Sequence, residues 1–427
     1  MWAGVSADRT LVGYGRFARV IAAAALAAGL GASVSSLAQN RIGGGELQAG
    51  PLAKVIQPYI DSREIAGAVV LVANRDRVID LETIGYADLT EHKPMEPNDM
   101  FWIASMSKAM TASAVMMLVD EGKISLDDPV EKYLPVFMGQ MVLAAADAAR
   151  GSAQASTESD SARKENASAK LEATKHPITI REILSHTSGL PFSSKREVGA
   201  LDVLPLKMAV MSYAAEPLQS QPGTQYSYSN EGINTAARIV EVVSGMPFED
   251  FMQQRLFSPL GMKDTTFWPT DEQVKRLAKS YEGGSLREVR IDQLTYPLSD
   301  RAHRFAIPAG GLFSTADDVA RFCQMMLNKG TFQGKRYLTE SSVGLITTKE
   351  TGDAVAKPYG FGWNVGDGYF EHSGAYKTDM KVDVKRGLIV VFLVQHANDW
   401  ALEDRQRLMD LLEGAEIAAM STEQTAR

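Results

Sequence analysis

The 427-residue sequence holds a single cysteine, Cys323. No intrachain disulfide can form, and no cysteine-based zinc or iron–sulfur cage. Gly-x-Ser-x-Gly does not occur, so the nucleophile elbow of an α/β-hydrolase is unsupported. His-Glu-x-x-His is missing too, and the six scattered histidines give no metal spacing. Neither standard phosphate-binding glycine loop is present. Cations are in the minority: 44 Lys+Arg stand against 52 Asp+Glu, a net charge of −8. No basic stripe points to nucleic acid. The proportions that remain, 45% apolar and 22% charged, are those of ordinary globular proteins. They exclude a disordered, collagen-like or polytopic membrane chain.

One long uncharged run stands out, Val20–Ala38. Arg9, Arg16 and Arg19 precede it, and Ser36-Leu37-Ala38 closes it with small residues before Gln39. That is the order of a secretory signal, so residues 1–38 are expected to be cleaved on export to a periplasmic or extracellular space. A membrane anchor would favour Leu and Ile over this run of Ala, Gly and Ser. No cysteine follows it, which excludes a lipoprotein-type anchor. Cleavage would remove three Arg and one Asp, a net +2, and leave −10 on residues 39–427.

Residues 51–62 read as an amphipathic helix. Ala68–Ala73 and Arg77–Tyr86, joined by the turn Asn74-Arg75-Asp76, read as a hairpin. Ser105–Gly122 reads as a helix. Residues 139–176 have no aromatic side chain and few large aliphatic ones, and are expected to be a solvated insertion. The chain from Ile178 to Phe267 is mainly helical, with helices near 231–244 and 247–257. Ser314–Asn328 is amphipathic, with Val319, Phe322, Cys323, Met326 and Leu327 on one stripe, a capping box at Ser314 and Asp317, and Gly330 past its end. Cys323 thus belongs to the core. Strands return at Tyr369–His372, Tyr376–Val384 and Leu388–His396, and a helix over Ala401–Met420 closes the chain. The economical solution is an α+β fold: one antiparallel sheet from both chain ends, flanked by helices, with a mainly helical domain inserted over about 105–300.

Chemistry is suggested by the helix after Trp102-Ile103-Ala104. Ala109–Val119 carries no charge, which marks a helix buried all round. Ser105 and Lys108 share a face at its first turn. Desolvation there would lower the lysine pKa and let it take a proton from the serine. The positive end of the helix favours a developing anion. A second Ser-x-x-Lys, Ser161 to Lys164, lies in the low-complexity stretch, where nothing could bury it. Tyr228-Ser229-Asn230, the one Tyr-x-Asn of the chain, sits on a loop before a helix; in extended backbone Tyr228 and Asn230 point the same way. His372-Ser373-Gly374 ends a strand, where glycine lets a substrate approach the backbone.

Ser-x-x-Lys, Tyr-x-Asn and His-Ser-Gly in this order resemble the serine β-lactamase and penicillin-binding-protein family. The branch most similar holds class C β-lactamases, D-alanyl-D-alanine carboxypeptidases and family VIII esterases. Ile103–Lys108, Leu126–Val130, Tyr133–Pro135, Ile183–Leu190, Gly310–Thr315 and Tyr359–Trp363 also resemble its recurring segments. The resemblance runs from about residue 50 to about 400. It implies that Ser105 is the acylated nucleophile and Lys108 its proton acceptor or electrostatic partner. Tyr228 would act as a general base or protonate the leaving group. Asn230 would hold the substrate amide or the lysine, and Ser373 and Gly374 would line the binding edge. The backbone N–H groups of Ser105 and Ala375 would form the oxyanion hole. No metal or cofactor is implied.

One position departs from the pattern. His372 stands where β-lactamases and carboxypeptidases usually carry a lysine, and a histidine is a weaker partner for a substrate carboxylate near pH 7. Ester or amide hydrolysis is therefore expected first, D-amino-acid peptidase second and β-lactamase third. An inactive relative that binds cell-wall peptides or a protein is the alternative from another class. Lys377 and Lys381 are expected to be solvated strand positions, and His186 a structural residue outside the site.

Overall fold

A computed structural model of the protein describes residues 50–144, 170–197, 199–397 and 405–425. The expected targeting segment and the centre of the expected insertion, 145–169, lie outside the described residues. Helix α1 (Pro51–Asp61) leads into β1 (Gly67–Asn74), β2 (Val78–Asp88) and the short β3 (Lys93–Pro94). A 3₁₀ turn (Ala104–Met106) opens α2 (Ser107–Asp120). The helical middle contains α3 (Ile180–Leu184), α4 (Leu206–Ala214) and α5 (Asn230–Ser244). Then come α6 (Ala316–Leu327), strands β4 (Asn364–Gly366), β5 (Tyr369–Ser373), β6 (Asp379–Asp383) and β7 (Leu388–Leu393), and α7 (Arg405–Thr425).

Among the described residues the main sheet has seven strands in the order β4-β5-β6-β7-β1-β2-β3, each pair antiparallel. Both chain ends build it, as expected, through the pairing of Val69 with Leu393 and Val72 with Val390. Side chains alternate between two cores, because a strand has period two. Val69 and Leu71, with Ile389, Val391 and Met380, pack toward α2 and α6. Ala68, Val70 and Val72, with Val390 and Phe392, pack on Leu52 and Ile56 of α1 and on Leu408, Met409 and Leu412 of α7.

Helix α2 runs through the first core, and every residue from Ser107 to Leu118 is buried. Its start is fixed by backbone pairing. Phe101 and Trp102 pair with Ser314 and Phe313, and the Ile103 N–H donates to Leu312 O at 3.0 Å. At Gly362 (φ 73°) a Cβ would lie 2.6 Å from Lys108 O, so only glycine lets the Tyr359–Trp363 segment rest on the first turn of α2.

Several expectations shift. The α6 cap is Thr315, whose hydroxyl accepts from the Asp318 N–H, rather than Ser314. Ser314 is instead in the short strand against Phe101. Cys323 is fully buried in the core, as read, and burial pushes its thiol pKa up. The ends of the 139–176 stretch are not loop: Met141–Leu143 pairs with Leu171–Ala173. The strand expected over Tyr376–Val384 begins only at Asp379, with Lys377 in the turn at φ 69°. His396 leaves β7 for a separate strand, parallel to Ser280–Glu282. Lys381 is not solvated. It is buried between the sheet and α7, where it pairs with Asp410 and with Glu413 at 3.2 Å. A strand covered by a helix on each face has no solvated side.

A buried ion pair ties the loops that lead to the site. Arg304 Nε donates to Asp202 at 2.6 Å, with both side chains almost fully buried. Asp202 also accepts from the Thr295 N–H and hydroxyl. Removing one partner strands the other charge, so Asp202→Ala is expected to destabilise the protein by about 3–5 kcal/mol. Urea unfolding measures this, and a loss below about 1 kcal/mol would contradict it.

Candidate active site

Ser105 sits half-exposed on the 3₁₀ turn, and Lys108 one turn further on is fully buried. Lys108 Nζ lies 3.1 Å from Ser105 Oγ, 2.7 Å from Asn230 Oδ1 and 2.7 Å from Ala309 O. Two of these three are carbonyl oxygens, which only accept. A neutral amine has two N–H groups and a lone pair. With both N–H groups on the carbonyls, the lone pair faces Ser105 and can take its proton. Desolvation pushes the Lys108 pKa well below its ordinary value, as its place in the buried helix suggested. Glu231, next to Asn230 in the chain, is itself buried, with its pKa pushed up to about 9 by desolvation, then Glu216 and Glu197. It is therefore neutral near pH 7.

The Ala309 carbonyl was not foreseen, since a backbone acceptor leaves no trace in side-chain pattern. A strap around it is pinned at several points. Thr111 Oγ1 donates to Pro308 O at 2.8 Å, and Trp102 Nε1 to Gly310 O at 2.8 Å. The Ala309 N–H donates to Asn234 Oδ1 at 3.0 Å. Asn234 in turn donates to Tyr213 OH at 3.0 Å, and that hydroxyl donates to Glu197 at 2.5 Å. The Leu312 N–H reaches Ser107 Oγ at 3.2 Å.

Tyr228 and Asn230 come from the start of α5. Ser229 is its N-cap in extended backbone, accepting from the Gly232 N–H at 3.0 Å. That conformation sends Tyr228 and Asn230 to the same side, as expected, toward Ser105 and Lys108. Ser105 lies close enough to Tyr228 to draw its pKa down against the effect of burial, and Lys108 Nζ lies 4.7 Å from its ring centre. Burial pushes the Tyr228 pKa up, so the phenol stays protonated and is a donor. His186 packs under this ring, with centroids 4.5 Å apart.

The third motif ends β5. His372 is buried; its Nδ1 lies 2.9 Å from Ser373 O and its Nε2 3.2 Å from Tyr359 OH. The carbonyl can only accept, which places the ring proton on Nδ1. Tyr359 lies in a segment singled out in the sequence, although nothing there gave its role. At Gly374 a Cβ would lie 2.2 Å from Thr378 Oγ1 and 2.6 Å from Ile103 O. Glycine alone lets this turn close on the residue that precedes the nucleophile turn. Ala375 follows, exposed. The Ser105 N–H belongs to the first helical turn, where amides have no intrahelical acceptor. Ala104, His186 and Lys377 all hold positive φ, 45°, 60° and 69°, beside the three motifs. Such strain costs about 1–3 kcal/mol per residue and clusters at functional sites.

Among the described residues no three His, Cys, Asp or Glu side chains gather as a metal site, and no helix is long and apolar enough to cross a membrane. The family model described as Beta-lactamase matches residues 52–413. Protein Rv1367c of Mycobacterium tuberculosis is 31% identical over 385 residues, 82% of this chain and 90% of that protein. Esterase EstB of Burkholderia gladioli is 26% identical over 388 residues, 80% of this chain and 89% of that one. Among solved structures, EstCE1, a hydrolase with promiscuous acyltransferase activity, superposes with a TM-score of 0.68 at 24% identity, over 85% of this chain and 97% of that one. The fold is thus of the β-lactamase type. The family match spans all three motifs, and the chain belongs to the beta-lactamase family of serine hydrolases, in which an acyl-enzyme on serine is general.

Proposed function

We propose that the protein hydrolyses esters, and secondarily amides, that carry no carboxylate beside the scissile bond, through an acyl-enzyme on Ser105. The observation that carries this reading is the environment of Lys108. Two fixed carbonyl acceptors consume its N–H groups and leave its lone pair for the Ser105 proton.

In the acylation step Ser105 Oγ bonds to the carbonyl carbon while its proton passes to Lys108. The carbonyl oxygen becomes an anion between the Ser105 and Ala375 N–H groups, near the positive end of α2. Tyr228, a protonated phenol beside Ser105, donates its proton to the departing oxygen or nitrogen as the carbon–leaving-group bond breaks. The proton held on Lys108 restores the phenol. Water then attacks the acyl carbon, gives up a proton by the same route, and releases the acid with Ser105 restored. Asn230 holds Lys108 and stands at the acyl side.

Substrate preference follows from His372. Both of its ring nitrogens are engaged by Ser373 O and Tyr359 OH, so the ring is a poor anchor for a substrate carboxylate. At the mouth, the Phe192 ring is 51% exposed and stacks on Tyr228 at 6.2 Å, which offers an apolar wall to an incoming chain. The relative Esterase EstB is in keeping with this choice.

Ser105→Ala is expected to abolish labelling by a fluorophosphonate probe; undiminished labelling of the variant would refute the nucleophile. Lys108→Arg, permanently charged, should lower kcat/KM by about 10²–10⁴-fold. The neutral amine is the active form, so activity is present above the lowered Lys108 pKa and is lost as pH falls through it. A kcat/KM–pH profile of the wild type reads that acid limb. On a panel of p-nitrophenyl butyrate, nitrocefin and a D-Ala-D-Ala peptide, the ester is expected to be turned over best. A higher kcat/KM for either carboxylate-bearing substrate would overturn the preference.

A further inference from the structure

His186 lies on none of the three motifs. It follows α3, is fully buried, and holds a left-handed conformation at φ 60°. Its two hydrogen bonds go to the two residues that flank Tyr228. The carbonyl oxygen of His186 accepts from the Ser227 N–H at 2.8 Å. Its ring Nδ1 accepts from the Ser229 N–H at 3.1 Å. An accepting nitrogen carries no proton, so the ring proton is on Nε2. Nε2 has no hydrogen-bond partner among the described residues.

This arrangement excludes His186 as the base for Ser105, because the lone pair of its imidazole is spent on Ser229. Nor does it resemble space-filling. An apolar side chain would occupy the same volume without burying an unpaired N–H. What requires the imidazole is the acceptor it offers to Ser229. The positive φ turns the carbonyl to one side of Tyr228 while the ring serves the other. We propose that His186 is a positioning residue: as a neutral imidazole protonated on Nε2, it clamps Ser227 and Ser229 and so holds the Tyr228 hydroxyl at Ser105.

The groups that face the ring agree with a neutral form. Tyr226, Tyr228 and Tyr359 pack around it at 5.9, 4.5 and 4.9 Å between centroids. Burial pushes its pKa well below the ordinary value, and a positive charge on Lys108 or His372 would push it the same way. No carboxylate is among these influences. Protonation on Nδ1 would set two donors, ring and Ser229 amide, against each other and open the clamp.

The inference rests on the acyl-enzyme reading above, and the test separates the two. Three variants of the full chain are compared, His186→Asn, His186→Gln and His186→Leu. Asparagine carries its carbonyl oxygen where Nδ1 stands and tolerates left-handed backbone. Glutamine sets the same group one carbon too far, and leucine has no acceptor. With p-nitrophenyl butyrate, the Asn variant is expected to keep kcat within about threefold of wild type. The Gln and Leu variants should lose about 10²-fold in kcat with KM little changed, the cost of a misplaced catalytic group. Should the Leu variant fail to fold in a thermal melt, the Asn and Gln pair, matched in polarity, decides. Equal kcat in Asn and Gln, or wild-type kcat in a folded Leu variant, overturns the clamp. If fluorophosphonate labelling is lost in Ser105→Ala while no His186 variant slows it, the clamp falls and Ser105 remains the nucleophile.

Discussion

The site depends on one act of desolvation. Lys108 is held away from water at the head of a helix with no polar face, and among the described residues no carboxylate pairs with it to offset a charge there. A solvated lysine would stay protonated and could accept nothing from Ser105. The apolar run from Ala109 to Leu118 is therefore as much a part of the chemistry as the motif residues. So are the elements that wrap it: the sheet face of Val69, Leu71 and Val391, the Tyr359–Trp363 segment laid on Lys108 O, and helix α5. Removing water creates the neutral amine; the two carbonyls then give it a direction.

Direction is supplied mostly by backbone. Ala309 O, the Ser105 amide and the turn after Gly374 are main-chain groups held by pairing and by close approach. Their rigidity is bought with strained residues at Ala104, His186 and Lys377, each adjacent to one motif. The side chains of Asn234, Thr111 and Trp102 each fix the strap that carries Ala309. The catalytic centre is thus a small number of reactive atoms inside a larger frame of amides.

The same contrast explains what the sequence makes legible. Periodicity located α1, the β1–β2 hairpin, α2 and the core stripe of α6, because burial of one face is written in residue type. The motif order located Ser105, Lys108, Tyr228, Asn230 and His372 within one site. Lys381 was misread because alternation along a strand does not reveal that α7 covers the outer face. The α6 cap slipped by one residue because Ser314 and Thr315 offer the same hydroxyl, and strand pairing decided between them. Ala309 and the bonds of His186 could not be read at all, since carbonyl directions and ring tautomers depend on how distant segments meet.

The placement of β1 also governs when the protein becomes an enzyme. It lies inside the sheet, between β2, which follows it directly, and β7, which comes after all three motifs in the chain. A nascent chain that has already emerged beyond Ser105, Tyr228 and Asn230 still lacks His372, the Gly374 turn and the strand that closes the sheet over α2. Pairings between such distant segments also form late and slowly. A complete site therefore depends on β7 joining β1, a pairing between distant parts of the chain.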